Sequence, residues 1–325
     1  MMILASRESI FGGGERFLES IAPIIRRQGF TVELRTPKNA ILRKMMSNYP
    51  FVSKFKPTFN RIVVANDFRS LWMSIILDRF ANRIFIVHGN WQISKIRLLI
   101  CLVFRIPIAT VSVELMSRIH REFKSIECVV LLLGPALKEE RIEVLPLKLP
   151  KECNQYVVGT IARLDPVKNI SGFVAVVDAL DLGNGRKRGL ILTSEPSSAT
   201  EETIFKSISS NCEIIYGNNP ENFFSKIDIF LSTSFSESLG LAHLEALFFG
   251  VPVVSTAEGG PSEFLVNSLR CGYVPGVKAV DTIIEVLEMT LRESRTREYW
   301  ADASNVLKLR NPEEVVRQLK GLLGL

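Results

Sequence analysis

The segment Asp228–Ser255 carries the densest chemistry in the chain. Its apolar run ends in a Ser-rich loop, Ser232-Thr-Ser-Phe-Ser236; Glu237 follows in that loop, and Gly240 opens a helix-length stretch holding Glu245. A strand that passes through such a loop into a helix leaves the first amides, near Ser238, Leu239, Gly240 and Leu241, without partners inside the helix. They form a natural anion site at the strand's end. Glu245, in the second turn, can accept hydrogen bonds from a neutral polyol beside a phosphate. The plainer reading is a capping loop in which Glu237 complements the helix dipole.

A second constellation is Gly159-Thr-Ile-Ala-Arg163-Leu-Asp-Pro166-Val-Lys168-Asn169. It follows a strand-like run, Pro166 turns the chain, and Asn169 suits a helix N-cap. Arg163 and Lys168 at one strand end suit a diphosphate, which Arg grips bidentately and Lys meets as a point charge. The alternative is a solvated turn. A third is Gly12-Gly13-Gly14-Glu15-Arg16 after the first strand, where glycines let backbone approach a ligand. It is not a dinucleotide fingerprint, because the Gly-x-Gly-x-x-Gly spacing is missing and Arg35 stands where an acid is needed. The fourth, Val87-His88-Gly89-Asn90, puts a histidine at a strand end, where it reaches a ligand unless it is only a core histidine.

The elements around these motifs alternate. Strand-length apolar runs at Met2–Ser6, Thr31–Arg35, Arg61–Ala65, Ile84–Val87, Ile108–Val113 and Cys128–Leu133 are separated by helix-length segments, including Phe68–Phe80, Trp91–Phe104 and Glu114–Lys124. After the proline-bearing connector Leu145–Pro150 the pattern restarts: strands at Tyr156–Ile161, Gly189–Thr193, Cys212–Tyr216, Ile227–Ser232 and Val251–Ser255, helices at Asn169–Leu180, Glu201–Ser209 and Gly240–Phe249. Helix then runs from Asp281 to Leu325, broken near Asn311-Pro312. The alternation predicts an α/β protein of two doubly wound, Rossmann-like domains, residues 1–150 and 151–311. The last helix, about 312–325, is free to pack back on the first domain. Ligands of such sheets bind at the carboxyl ends of strands, so an interdomain cleft is the expected site.

The net charge of +6 divides unevenly. Residues 1–150 carry 23 Lys and Arg against 12 Asp and Glu, a balance of +11, and residues 151–325 carry −5. A basic half suggests an anionic partner: a membrane surface, a phosphorylated acceptor or nucleic acid. No zinc-finger or RNA-binding aromatic motif supports nucleic acid. The 5 scattered cysteines fit a reducing cytosol, and the 3 histidines lack metal-ligand spacing. The chain starts with too short an apolar stretch for a signal peptide, and its longest apolar run, Leu98–Phe104, cannot span a bilayer. Trp91–Arg105 mixes apolar residues, cations and a Trp, which suits a membrane interface. A helix apolar over most of its circumference is more often core, and that is the expectation here.

Together the four motifs, with Gly250-Val-Pro252-Val-Val, resemble glycosyltransferase family 4, retaining enzymes of the GT-B fold. They occur in the family's order between residues 2 and 276. The resemblance implies sugar transfer from a UDP- or GDP-sugar to a hydroxyl of a glycan or lipid-linked acceptor, as in cell-surface polysaccharide or glycolipid synthesis. It implies no cofactor and no metal; Asp-x-Asp is absent from the chain. Arg163 and Lys168 would hold the diphosphate, Glu237 would contact the donor sugar with His88 beside it, and Glu245 would bind the ribose. Gly13, Gly14, Ser238, Leu239, Gly240 and Leu241 would bring backbone to the donor. Ser194, Tyr216 and Gly217 are the candidates for the base side, although Thr193-Ser194-Glu195-Pro196 stands where the family often has a Gly-rich turn. The implied location is cytoplasmic, peripheral on the inner face of the membrane. Rival readings are a nucleotide-sugar epimerase of the same fold and a non-catalytic nucleotide-sugar or polyanion-binding protein.

Overall fold

The computed structural model describes all residues except 8–12, 38–40, 53–60, 79, 135–155, 181–188, 218, 269–271, 273, 275, 277–278 and 311. The chain divides into two compact units: Met1–Arg141 with Leu309–Leu325, and Ile142–Lys308.

The first unit runs β1 (Met2–Ala5), α1 (Gly13–Arg27), β2 (Val32–Arg35), α2 (Ile41–Met45), β3 (Ile62–Ala65), α3 (Phe68–Leu77), β4 (Asn82–Val87), α4 (Lys95–Val103), β5 (Ile108–Thr110), α5 (Val113–Glu122) and β6 (Cys128–Val130). All its strand pairs are parallel, in the order β2-β1-β3-β4-β5-β6. β1 and β3 are buried at every residue, as strands covered on both faces must be, which is why they read as unbroken apolar runs. Side-chain caps start the helices: Asp67, Ser94 and Ser112 accept from Ser70, Arg97 and Leu115 amides at the heads of α3, α4 and α5.

The second unit runs β7 (Val158–Ile161), α6 (Ile170–Ala179), β8 (Gly189–Thr193), α7 (Ala199–Lys206), β9 (Cys212–Tyr216), α8 (Pro220–Phe224), β10 (Ile229–Ser232), β11 (Ser236–Glu237), α9 (Leu241–Phe248), β12 (Val253–Ser255), β13 (Glu258–Gly259), α10 (Ser262–Ser268), α11 (Val280–Glu293) and α12 (Arg297–Lys308). Its main sheet, also parallel, has the order β12-β10-β7-β8-β9. Val158, Ile191, Ile229 and Leu231 of the sheet pack with Phe173, Val176 and Leu287 of α6 and α11 to form its core. The last helix, α13 (Pro312–Gly321), belongs to the first unit and packs on α1, burying Val315, Val316 and Leu319.

Expected strands and helices recur with ends moved by a residue or a few, because caps rather than apolar runs set them. The C-terminal helical stretch breaks twice rather than once. Besides the break before Pro312, α11 stops before Thr296, whose hydroxyl accepts from the Tyr299 amide and starts α12. The segment Trp91–Phe104 departs further. It divides into a single 3-10 turn at Asn90–Gln92 and α4, and α4 is not a core helix: Leu98 and Cys101 are buried, whereas Ile96, Leu99 and Val103 face out. Among the described residues no helix is long and apolar enough to cross a membrane.

Candidate functional site

Each sheet has one point where its strand order reverses. In the first unit it lies between β1 and β3, because the chain moves from β1 to β2 on one side and from β3 to β6 on the other. In the second it lies between β7 and β10. Loops leaving the carboxyl ends of two such strands part in opposite directions and open a crevice, where ligands of open α/β sheets bind. The motif residues gather at these two points.

In the second unit, the loop after β7 turns through Asp165, whose carboxylate accepts from the Val167 amide at 3.0 Å. Asn169 then takes a left-handed conformation, φ 48°, and caps α6 through the Gly172 amide. This loop is stitched to the loop after β10. Asn169 donates to the Thr233 carbonyl (3.1 Å), the Thr233 hydroxyl donates to the Asn169 carbonyl (2.8 Å), and the Phe235 amide donates to the Val167 carbonyl (2.9 Å). The stitching carries Lys168 to Glu237, Nζ to Oε1 at 2.7 Å, with each side chain only 17% exposed. Ser234 donates to the same Oε1 at 2.9 Å. β11 anchors the Glu237 backbone by pairing with β13, and Gly260 donates its amide to the Glu237 carbonyl at 2.8 Å.

Burial by itself would raise the Glu237 pKa. The Lys168 ammonium outweighs it, helped by hydrogen bonds from Lys168 and Ser234, and holds the carboxyl below the usual range. Glu237 is therefore ionised and Lys168 compensated. Arg163 does not join this pair. It reaches toward Asp165 at 3.9 Å and is 55% exposed.

Gly240 caps α9 with φ 82°, and as a glycine it gives that end of the helix no side-chain hydrogen bond. A Cβ on Gly240 would lie 2.8 Å from His243 Nδ1 and 2.9 Å from Pro261, so a glycine is required by both conformation and space. Glu245 is buried within α9. His243 is a core residue: its Nε2 meets the Ser255 hydroxyl at 2.9 Å, Phe230 and Phe264 flank its ring, and burial lowers its pKa to about 4. At the neighbouring strand ends, Thr193 and Tyr216 are in register and the Gly217 amide donates to the Thr193 carbonyl. Ser194, Tyr216 and Gly217 thus share one edge. Ser194 is exposed, and the half-exposed Tyr216 stacks on Phe205.

In the first unit, the ends of β1, β3 and β4 hold a polar network. Ser6 and Asn66 Nδ2 donate to Glu15 Oε1, at 2.9 and 3.2 Å. Asn66 Oδ1 meets His88 Nε2, Gln92 donates to the Asn66 carbonyl at 3.0 Å, and the His88 amide donates to Gln92. Since Asn66 Nδ2 faces Glu15, its Oδ1 can only accept, so His88 Nε2 carries the hydrogen. Burial lowers the His88 pKa to about 4, so near neutral pH the ring is neutral and Nδ1 holds the lone pair. Gly14 stands against this network: a Cβ there would lie 2.5 Å from Asn66 Nδ2. Gly13 begins α1, and Gly12 lies outside the described residues.

The structure therefore brings together Lys168 with Glu237, Gly14 with His88 through Asn66, and Ser194 with Tyr216 and Gly217. It leaves Arg163 on a separate partner. Ser234, Asn66, Gln92 and Glu15 order these groups and were not singled out by the motifs. Glu15 stood inside the Gly-rich motif, and a Ser-rich loop signals that one serine serves Glu237 without saying which. Among the described residues no group of three His, Cys, Asp or Glu side chains is gathered as for a metal ion.

Residues 142–305 match the family described as "Glycosyl transferases group 1". Curated relatives include sucrose synthase of Solanum tuberosum, 26% identical over 183 residues, 49% of this chain and 22% of that protein. Another is D-inositol 3-phosphate glycosyltransferase of Arthrobacter sp. (strain FB24), 39% identical over 82 residues, 25% of this chain and 19% of that protein. The chain spans about a fifth of the length of these relatives. Similar solved structures include Anabaena Alr3699/HepE in complex with UDP and glucose (TM-score 0.70, 14% identity, 99% of both chains) and a glycosyltransferase from Rickettsia africae ESF-5 (TM-score 0.74, 15% identity, 99% of this chain and 98% of that one). WaaG, a glycosyltransferase involved in lipopolysaccharide biosynthesis, matches with a TM-score of 0.65 at 15% identity over 98% of each chain. The fold is that of the GT-B glycosyltransferases.

Proposed function

Because the chain belongs to the group 1 glycosyl transferases, we propose that it is a retaining member of glycosyltransferase family 4. In this reading it moves a sugar from a UDP- or GDP-sugar to a hydroxyl of a glycan or lipid-linked acceptor, in cell-surface polysaccharide or glycolipid synthesis on the cytoplasmic side. The observation that carries the reading is the compensated Lys168–Glu237 pair at the strand reversal of the second unit, in the loop that leads to the glycine-capped head of α9.

The mechanism follows from charge. As the glycosidic bond to the nucleoside diphosphate breaks, negative charge grows on the leaving phosphate, and preorganised cations and amides aimed there are the largest catalytic term. Lys168 answers that charge from its fixed seat, Arg163 swings in from the surface, and the amides from Ser238 to Leu241 add dipoles. Glu237, held ionised, accepts hydrogen bonds from donor-sugar hydroxyls and keeps Lys168 compensated until the diphosphate arrives. Glu245 is assigned to the ribose, and Ser194, Tyr216 and Gly217 to the base. His88, neutral with its Nδ1 lone pair, accepts from a sugar hydroxyl. The acceptor oxygen attacks on the face the diphosphate leaves, and a phosphate oxygen takes its proton, so configuration is retained without a metal.

The test is a thermal-shift series with UDP, GDP and ADP followed by turnover of the matching sugars with and without EDTA. Ligand at about 100 times its Kd adds about 2.7 kcal/mol to stability. A shift with one nucleotide and EDTA-resistant transfer are expected, with the anomeric configuration of the product retained by NMR. No shift with any of them, a strict metal requirement, or an inverted product overturns the reading.

A further inference from the structure

Gly240 decides where the amides at the head of α9 point, yet a glycine has no Cβ to restrict its own backbone. What encloses it must come from elsewhere in the unit. Pro261 and the His243 ring stand against the space a Cβ would take, with His243 Nδ1 2.8 Å and Cε1 3.3 Å from that point. The imidazole is therefore the inner wall behind Gly240. It is 1% exposed, and Phe230 and Phe264 meet it at steep angles with 5.3 and 6.4 Å between ring centres. The charges that act on it are those of Glu237 and Lys168, the pair at the strand reversal.

Hydrogen-bond accounting fixes where this ring carries its hydrogen. The Ser255 hydroxyl oxygen accepts from the Ala257 amide at 3.2 Å and lies 2.9 Å from His243 Nε2. Ser255 is fully buried, and among the described residues its own hydrogen has no acceptor but Nε2. Nε2 is thus the bare nitrogen and Nδ1 carries the hydrogen, the reverse of His88. That Nδ1–H faces the Gly240 carbonyl, which already accepts the His243 and Leu244 amides at 3.0 and 3.4 Å. It makes no hydrogen bond of normal geometry. A buried donor left in this state costs free energy and calls for a reason. The head of α9 supplies one, because negative charge arriving at the amides of Ser238 to Leu241 is what an N–H dipole behind Gly240 can answer.

We propose that His243 is a positioning residue of the donor site, acting through Gly240. As the neutral Nδ1–H tautomer it backs Gly240 and points a fixed dipole at the head of α9. It thereby keeps the amides from Ser238 to Leu241 aimed at the phosphate that gains charge as the sugar leaves. Ser255 sets the tautomer by giving its hydrogen to Nε2. The inference rests on the proposed function for the identity of the anion, and it deepens that reading by extending the donor site to a buried side chain.

The test pairs ring NMR with kinetics. Long-range proton–nitrogen spectra of the full chain with isotope-labelled histidine resolve the 3 imidazoles, assigned by substituting each in turn. Near neutral pH the His243 ring should carry its hydrogen on Nδ1, and its signals should move when UDP, GDP or ADP binds. A hydrogen on Nε2 overturns the inference, as do signals that stay fixed with a nucleotide that raises the unfolding temperature. In steady state, His243→Gln and His243→Leu keep the core filled but remove the Nδ1–H, and should lower kcat at least tenfold with the donor KM changed less than twofold. His243→Asn sets an N–H where Nδ1 stood and should recover most of that loss. Equal kcat in every variant, a loss confined to KM, or no recovery by Asn overturns the inference. If the Gln and Leu variants do not fold, the spectra of the wild-type chain decide. A wild-type chain that binds no nucleotide sinks the donor reading itself, and this inference with it.

Discussion

The strand-end clusters of the two units share a construction and differ in charge logic. Each sits at the reversal point of a parallel sheet, and each uses an asparagine to tie two strand ends together, Asn66 in the first unit and Asn169 in the second. In the first, hydrogen bonds run from Ser6 and Asn66 to Glu15 and from His88 to Asn66, fixing a tautomer and an orientation. In the second, a lysine and a glutamate neutralise each other, and in the proposed reaction Lys168 turns to the diphosphate when it arrives. A closed network suits reading a neutral group such as a sugar hydroxyl. An exchangeable ion pair suits a charge that grows during reaction.

The largest expected effect lies on the charged side. Lys168→Ala should cut kcat/KM at least a hundredfold, about 2.7 kcal/mol of lost transition-state stabilisation. It should also lower the unfolding temperature by stranding the Glu237 carboxylate. His88→Ala should cost about tenfold, the size of a lost hydrogen bond to a neutral group. Steady-state kinetics with the preferred donor would read both, and equal losses would erase the distinction drawn between the clusters.

Arg163→Ala comes next, with a loss of tenfold or more and no change in stability, because its side chain is largely solvated. A drop in unfolding temperature like that of Lys168→Ala would show that Arg163 belongs to the structural pair. On the neutral side, Gly14→Ala should act through Asn66, displacing it from Glu15 and His88 for a loss of roughly fivefold to tenfold. The signature is non-additivity: Gly14→Ala combined with Asn66→Ala should be no worse than Asn66→Ala alone.

The smallest effect is on stability against pH. His88 and His243 have folded pKa values of about 4, below the ordinary 6.5, because burial disfavours their charged forms. Their contribution is complete above pH 6.5 and is lost as pH falls toward 4, since only the unfolded chain takes up those protons in that window. Glu237, also lowered, adds a loss that begins near its unfolded value of about 4.3 and continues below it. Urea midpoints at several pH values should slope accordingly, and His243→Asn should flatten the upper part of the slope. A flat wild-type curve between these limits would mean the imidazoles are solvated.

Sequence spacing foretold the second unit better than the first, and the reason is range. Glu237, Gly240 and Glu245 lie on one strand–loop–helix passage, so local rules place them. Asn66 acts on Glu15 from 51 residues away, through a strand order that no local pattern encodes. The loop before Glu237 offered several serines, and only the folded loop shows that Ser234 is the one that donates to its carboxylate. Fully buried strands announced themselves as apolar runs, yet α4 misled for the same reason: apolar over most of its circumference, it was read as core, and only the folded chain shows that Ile96, Leu99 and Val103 face out.

The return of α13 to α1 has a consequence for the order in which the chain acquires structure. During synthesis, every residue of the second unit has been made once Lys308 is added, whereas the first unit still lacks the segment that covers α1. A chain that reaches only Lys308 therefore holds the whole of the later unit, whereas the earlier one still waits for its closing helix. Released chains that end at Lys308 should be cleaved by protease in the first unit and resist in the second, and chains that continue through Leu325 should resist in both.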